Sequence, residues 1–303
     1  MKVKFWGVRG SIPSPGPYTV RYGGNTPCVE VRTSQGDLII LDSGSGLRLL
    51  GMKLMEEGEG IAGHIFLSHT HWDHIQGIPF FKPGFVKGNS FTIYAARDEG
   101  NRLNEVLAGQ MEYRYFPVKL EDMGAYISFR ELKEGEVISI GTTTISTSPL
   151  IHTSKTLGYR IEAEGISIAY CTDSEPYYCS FAKESEMARE EIHCAELGRT
   201  VKGAPNPSSL EIARNVDLLI HDSQYDDDEY LEKVGWGHSS AMQALSIALM
   251  ANCKMLALFH YDPNYSDEKI DLMVERCKEV VSRMGSDLRV FGAAEGMEIE
   301  IRD

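Results

Sequence analysis

The chain has 303 residues, 42% of them hydrophobic, and carries a formal net charge of −14. That length suits one large α/β domain, and the lack of any low-complexity tract predicts folded chain throughout. The acidity argues against tight capture of a long polyanion, which depends on lysine and arginine, while a metal centre would still supply local positive charge for a small anion.

Strands are expected first. Residues 2–6 alternate, 28–31 continue the pattern, and 38–41 form a buried apolar run, with a Gly/Pro-rich loop over 10–25 between them. Residues 44–57 read as a helix with Leu47, Leu49, Leu50 and Leu54 on one side. A strand over 61–67 runs straight into a histidine cluster, strands recur over 91–95 and 126–149, and 101–111 reads as helix. Residues 137–148 alternate as a hairpin about Gly141, and 157–171 as another about Gly165. Residues 174–207 are irregular and mixed in charge, and are expected to form a lid. The last third alternates strand 216–221, helix 239–251, strand 255–260, helix 267–284 and closing strands 288–291 and 297–301. With no internal repeat, this order predicts a single domain over 1–303, a four-layer αββα sandwich with two mixed sheets inside and helices outside.

Six cysteines stand at 28, 171, 179, 194, 253 and 277 without a C-x-x-C pair, which suits buried thiols in a reducing compartment. The opening residues lack a signal-peptide pattern, and no stretch approaches the ~20 apolar residues that span a bilayer, so the cytoplasm is the expected location.

Three of the nine histidines fall in one six-residue window, His69-Thr70-His71-Trp72-Asp73-His74, directly after apolar Ile65, Phe66 and Leu67. In extended backbone, residues i and i+2 can face the same way, so His69 and His71 can share one ion while Asp73 and His74 reach a second. An isolated H-x-H on a loop is more often a surface accident. Four potential ligands in six residues after a core strand reverse those odds, and imidazole with carboxylate suits zinc, iron or manganese. His152, Asp173 and His260 each follow an apolar strand. Singly they read as polar loop residues; beside the cluster they supply what a two-ion site lacks.

This ordered set resembles the metallo-β-lactamase superfamily, whose H-x-H-x-D-H signature matches His69, His71, Asp73 and His74. The resemblance implies an αββα sandwich with one metal on His69, His71 and His152, the other on Asp73, His74 and His260, and Asp173 bridging. It gives Asp42, in the run 41–46, a supporting role. Residues 218–223 (LLIHDS) and 237–240 (GHSS) resemble paired motifs of the transfer-RNA 3′-processing endonuclease and related cyclic phosphodiesterases. That implies His238 beside the scissile phosphate, with Asp222 orienting it; true β-lactamases lack the pair. Those transfer-RNA enzymes carry a long projecting arm between the third histidine and the bridging aspartate. Here 20 residues separate His152 from Asp173, and they read as a hairpin. Together with the acidity, this favours a small anionic phosphodiester, cyclic ones included, over a nucleic-acid polymer. Residues 6–11 (WGVRGS) and 24–26 (GNT) also resemble a bacterial, cyclic-nucleotide phosphodiesterase-like branch. Since such relatives are often dimers, a homodimer is expected.

The chemistry expected is hydrolysis assisted by two divalent ions, zinc first and manganese or iron also compatible, which hold a hydroxide between them. Asp73 would hold or deprotonate that hydroxide. His238 would stabilise charge or protonate the leaving oxygen, and Asp222 would fix the tautomer of His238 or His221. Two rivals stay open: an acyl, thioester or lactone hydrolase on the same scaffold, and a non-enzymatic di-iron oxygen sensor. Plainer readings apply elsewhere. His221 reads as a core residue, His64 and His193 as structural or surface residues, and the acidic run 226–229 as a solvated loop. Tyr113, Tyr115 and Phe116 read as pocket lining or core.

Overall fold

The apolar run Leu38–Leu41 is buried on both faces. Ile39 and Leu41 join a cluster with Phe5, Phe66, Tyr159 and Tyr170, whereas Leu38 and Ile40 join a second cluster with Leu47, Leu50 and Leu54. A strand whose alternate residues enter two cores has sheet on one side and helix on the other. The structure, a computed structural model, describes residues 1–98, 100, 102–175, 191–192, 201–202 and 205–302.

The first sheet holds β1 (Lys2–Gly7), β2 (Cys28–Arg32), β3 (Leu38–Leu41), β4 (Ala62–Phe66), β5 (Ser90–Ala96) and β6 (Tyr126–Leu132). The second begins with β7 (Val137–Ile140), β8 (Thr143–Leu150), β9 (Thr156–Ala163) and β10 (Ile166–Cys171). A two-stranded ribbon, β11 (Glu191–Ile192) with β12 (Val201–Lys202), stands apart. Then come β13 (Leu218–Asp222), β14 (Met255–Phe259), β15 (Arg289–Gly292) and β16 (Glu298–Glu300). Each main sheet has seven strands, ordered β16-β1-β2-β3-β4-β5-β6 and β15-β14-β13-β10-β9-β8-β7. Both are mixed: β3 to β6 are parallel, as are β10 and β13 to β15, and the remaining pairs are antiparallel. This is the αββα arrangement expected.

Helices flank the sheets, the longer ones on the outer faces. They are α1 (Leu47–Glu57), α2 (Trp72–Ile75), α3 (Leu103–Gly109), α4 (Pro207–Ala213), α5 (Asp227–Tyr230), α6 (Ala241–Met250) and α7 (Asp267–Met284). α1 buries Leu47, Leu50 and Leu54, each worth about 1.5–3 kcal/mol when fully removed from water. Ser266 caps α7 by accepting from the Lys269 N–H, and Gly285, with φ of 62°, ends it in the left-handed conformation.

Three local expectations change. α4 starts where the Asn206 side chain caps Ser208 and Pro207 presets the first turn, a start signal inside the expected lid. The lid reading over 174–207 falls mostly on 176–190, 193–200 and 203–204, outside the described residues, as does His193. The acidic run is a short helix and its cap, not a solvated loop. Asp226 accepts from the Asp228 and Glu229 N–H groups, and Asp227 accepts from Ser240 Oγ and lies 3.3 Å from Arg276. Tyr113 and Tyr115 are 82% and 76% exposed, so neither is core. Among the described residues, no helix is long and apolar enough to cross a membrane.

Candidate metal centre

Topology brings one edge of both sheets together. β10, β13 and β14 are parallel neighbours, and their C-terminal ends lead into Asp173, Asp222 and His260. β8 and β10 are each antiparallel to β9, so β8 ends at the same edge, two residues before His152. In the facing sheet, parallel β3 and β4 end at Asp42 and the 69–74 segment. Ligand sites lie outside the carboxyl ends of strands in such sheets. Asp42, Asp173 and His260 have φ of 59°, 49° and 63°, a left-handed backbone that costs a non-glycine residue of order 1–3 kcal/mol. Each stands just past a buried strand, where the sharp turn throws the side chain across the edge.

Six of the nine histidines meet there. Asp173 faces two groups with its two oxygens. Oδ2 lies 3.6 Å from His69 Nε2 and 3.6 Å from His152 Nε2, and His152 Nε2 is 3.1 Å from His71 Nδ1. Oδ1 lies 3.1 Å from both His74 Nε2 and His260 Nε2. Asp73 Oδ2 is 3.2 Å from His74 Nε2 and 3.3 Å from His260 Nε2. A tetrahedral ion bound at 2.0–2.1 Å separates its ligand atoms by ~3.3 Å, so both groups are spaced to hold one. His69 Nε2 is buried without a hydrogen-bond partner, as a ligand nitrogen would be in the protein alone. The donor set therefore fits two ions on either side of Asp173.

The outer partners fix which nitrogen faces inward. His74 donates Nδ1–H to Asp42 Oδ2 at 2.8 Å, and Asp42 also accepts from Ser68 N–H, Ser68 Oγ–H and Tyr170 Oη–H. His69 Nδ1 lies 3.0 Å from Ser68 Oγ, and His152 Nδ1 lies 2.8 Å from the Gly237 carbonyl. Two glycines let backbone approach the imidazoles. A Cβ on Gly10 would come within 2.5 Å of the His260 ring, and one on Gly237, where φ is 85°, within 2.4 Å of His152 Nδ1. The neighbouring Ser11 N–H donates to Asp73 Oδ2 at 2.8 Å.

His238 pairs with Asp222 at the border of the cluster, and these two with Asp173 and His260 form a further group spaced closely enough to hold an ion. His238 Nδ1 is 2.8 Å from Asp222 Oδ2 and 3.9 Å from Asp173 Oδ2, and its ring stacks on His260 at 5.2 Å. Asp222 is held in turn by the N–H groups of Asp173, Gln224 and Ser239. His221 gives Nδ1–H to the Asp222 carbonyl and not to its carboxylate, and it is fully buried. His64 pairs with Tyr94 Oη at 3.1 Å, a structural contact in the sheet.

Charge differs across the centre. Burial pushes His69 well below the ordinary imidazole range, lowers His71, and takes His152 down to about 4. Burial also opposes charge on His74, but Asp173, Asp73 and Asp42 outweigh it and hold His74 well above that range. His238, disfavoured by burial but paired to Asp222, is raised to about 9. Burial favours the neutral acid at Asp73 and Asp173 too, yet the surrounding imidazoles pull both well below the usual carboxylate range.

A family profile described as a beta-lactamase superfamily domain matches residues 39–261. The chain is 25% identical to a ribonuclease Z from Haloarcula marismortui, covering 98% of this chain and 96% of that one. Among solved structures it is similar to the metallo-beta-lactamase fold protein YhfI from Bacillus subtilis, with a TM-score of 0.67, 19% identity and 99% of both chains covered. It is also similar to a diphosphatase from the PhnP family, with a TM-score of 0.63 and 18% identity over 99% of this chain and 98% of that one.

Proposed function

The chain belongs to the beta-lactamase superfamily, a fold of metal-dependent hydrolases whose members bind two divalent metals, and from that premise we propose that it hydrolyses a small anionic phosphodiester, cyclic ones included. His69, His71 and His152 would hold one ion, Asp73, His74 and His260 the other, and Asp173 would bridge them. Zinc is the first expectation; manganese and iron suit the same donors. When bound, two such ions acidify a water toward neutral pH and polarise a phosphoryl oxygen.

The observation that carries the phosphodiester reading is the Asp222–His238 pair, 2.8 Å apart and beside Asp173. His238 is a proton-bearing imidazole that none of the expected ion ligands needs. With Nδ1 engaged by Asp222, Nε2 is the nitrogen from which a proton can pass to a leaving oxygen. Such acid help is worth roughly 10²–10⁴-fold. Asp73, whose Oδ2 accepts from the Ser11 N–H, would take the proton of the attacking water.

A small substrate is favoured over RNA even though the relative above is a ribonuclease. The segment between His152 and Asp173 is the β9–β10 hairpin, paired into the sheet and too short for a projecting arm. The net charge of −14 also repels a polyanion. The four described cysteines are buried and unpaired, in keeping with a cytoplasmic setting, and a homodimer remains the expected assembly.

The test is turnover of bis-p-nitrophenyl phosphate and a panel of cyclic nucleotides against thioesters and lactones, with each metal added in turn. Phosphodiester turnover that drops in His238→Ala supports the reading. Acyl turnover indifferent to His238, with every phosphodiester inert, moves the chain to acyl hydrolysis.

A further inference from the structure

His238 lies in the connection between α5 and α6, which belongs to no strand; a parallel bridge from Ser240 to Tyr225 holds its end against the centre, and side-chain contacts hold the rest. A single buried carboxylate does much of that work. Glu175 is 4% exposed and stands two residues past Asp173. Its Oε1 accepts from Tyr230 Oη–H at 2.6 Å and from the Gly235 N–H at 2.8 Å. Its Oε2 accepts from the Gly235 N–H at 3.1 Å and the Gly237 N–H at 3.2 Å. The Glu175 N–H donates to the Ile151 carbonyl at 2.9 Å, one residue before His152.

The two residues before it complete a clasp. Ser239 Oγ–H donates to the Ser174 carbonyl, and the Asp173 N–H donates to Asp222 Oδ2 at 3.1 Å. Residues 173–175 therefore touch the residue before His152 and the segments on both sides of His238. Gly237 is the shared link, since it gives its N–H to Glu175 and its carbonyl to His152 Nδ1. Its φ of 85° and its contact with the His152 ring leave it no room to shift without moving that ring.

We propose that Glu175 is a positioning residue that sets His238, and through Gly237 also His152, in register with Asp173. A buried carboxylate is held by its donors, and moving it displaces the donors with it. Glu175 touches neither substrate nor reacting atoms; it acts through the loop. The inference rests on the reading above that His238 gives a proton to the leaving oxygen, and it adds that the aim of this proton donor is fixed by the same three residues that carry the bridging carboxylate.

The test uses leaving groups. p-Nitrophenolate departs without a proton, whereas phenolate gains more from one, so a badly aimed acid shows on diphenyl phosphate and much less on bis-p-nitrophenyl phosphate. Both substrates are run with His238→Ala, Glu175→Ala and Glu175→Gln on the full chain, at equal bound metal by elemental analysis. Glu175→Ala is expected to lose about 10²-fold on diphenyl phosphate, the cost of ~1 Å of misplacement, and roughly tenfold less than that on the nitrophenyl ester. Glu175→Gln keeps an acceptor oxygen for Gly235 and Gly237 and is expected to recover most of the activity. If Glu175→Ala does not fold, Glu175→Asp, which withdraws the carboxylate by one methylene, carries the same expectation. Equal losses on both substrates, or no loss, overturn the inference. If His238→Ala itself shows no leaving-group dependence, the reading of His238 falls. If His238→Ala shows it and the Glu175 variants do not, only the role of Glu175 falls.

Discussion

On the deep side of the centre, His74 gives its Nδ1–H to the Asp42 carboxylate at 2.8 Å, and its partner His260 is buried against Gly10. On the mouth side, His69 has the Ser68 hydroxyl at 3.0 Å, His152 has the Gly237 carbonyl, and His71 is exposed. The same kinds of candidate ligand are thus supported by a charged acceptor in one half and by neutral acceptors in the other. A carboxylate behind an imidazole raises its basicity and fixes its orientation more firmly than a hydroxyl or carbonyl does. Protonation divides along the same line. The mouth histidines are pushed down and are neutral near pH 7, whereas His74 is pushed up and keeps a proton that an incoming cation must displace. Two neighbouring pockets built from one residue alphabet should therefore differ in affinity and in pH response.

The largest effect should come from removing what the halves share. Asp173→Ala deletes the oxygens facing both groups, and is expected to cost at least ~10⁴-fold in kcat/KM while bound metal, read by elemental analysis, falls for both positions. Retention of two ions per chain by this variant would break the comparison at its root.

Next in size is the outer partner. Asp42→Asn should weaken the deep ion roughly 10–100-fold, whereas Ser68→Ala should weaken the mouth ion less, both read by competition with a chromophoric chelator. Asp42→Asn should also lower stability by about 1–3 kcal/mol in urea denaturation, because Tyr170 and Ser68 lose a charged acceptor. Equal weakening of both ions by Asp42→Asn would contradict the division.

The smallest step is the pH response, at most about tenfold per pH unit for one proton displaced. A group whose pKa is raised is protonated below that pKa, so a metal competing for His74 binds more tightly as pH climbs toward it. Affinity at the site that includes His74 should rise as pH climbs from 6 to 8, because binding there releases a proton, while the other site changes little. Titrations at pH 6, 7 and 8 decide it; two parallel slopes would remove the protonation difference.

The ligand candidates were legible in the sequence because four of them sit in six residues behind an apolar strand, and because His152, Asp173 and His260 each close a strand of their own. The sandwich was legible for a related reason, since runs such as Leu38–Leu41 have no polar face and need cover on both sides. What stayed hidden was carried by backbone or by distance. The Ser11 N–H on Asp73 and the close approach of Gly10 to His260 leave no residue-type signature. Glu175 looked like one more acidic residue at the start of an irregular stretch. The run 226–229 was misread because its partners, Ser240, Lys269 and Arg276, lie far along the chain.

The most direct test of the account is anomalous diffraction from crystals grown with zinc, recorded on either side of the zinc absorption edge. Two peaks about 3.5–4 Å apart are expected, one on each side of the Asp173 carboxylate. A single peak, or density away from Asp173, would contradict a two-ion centre.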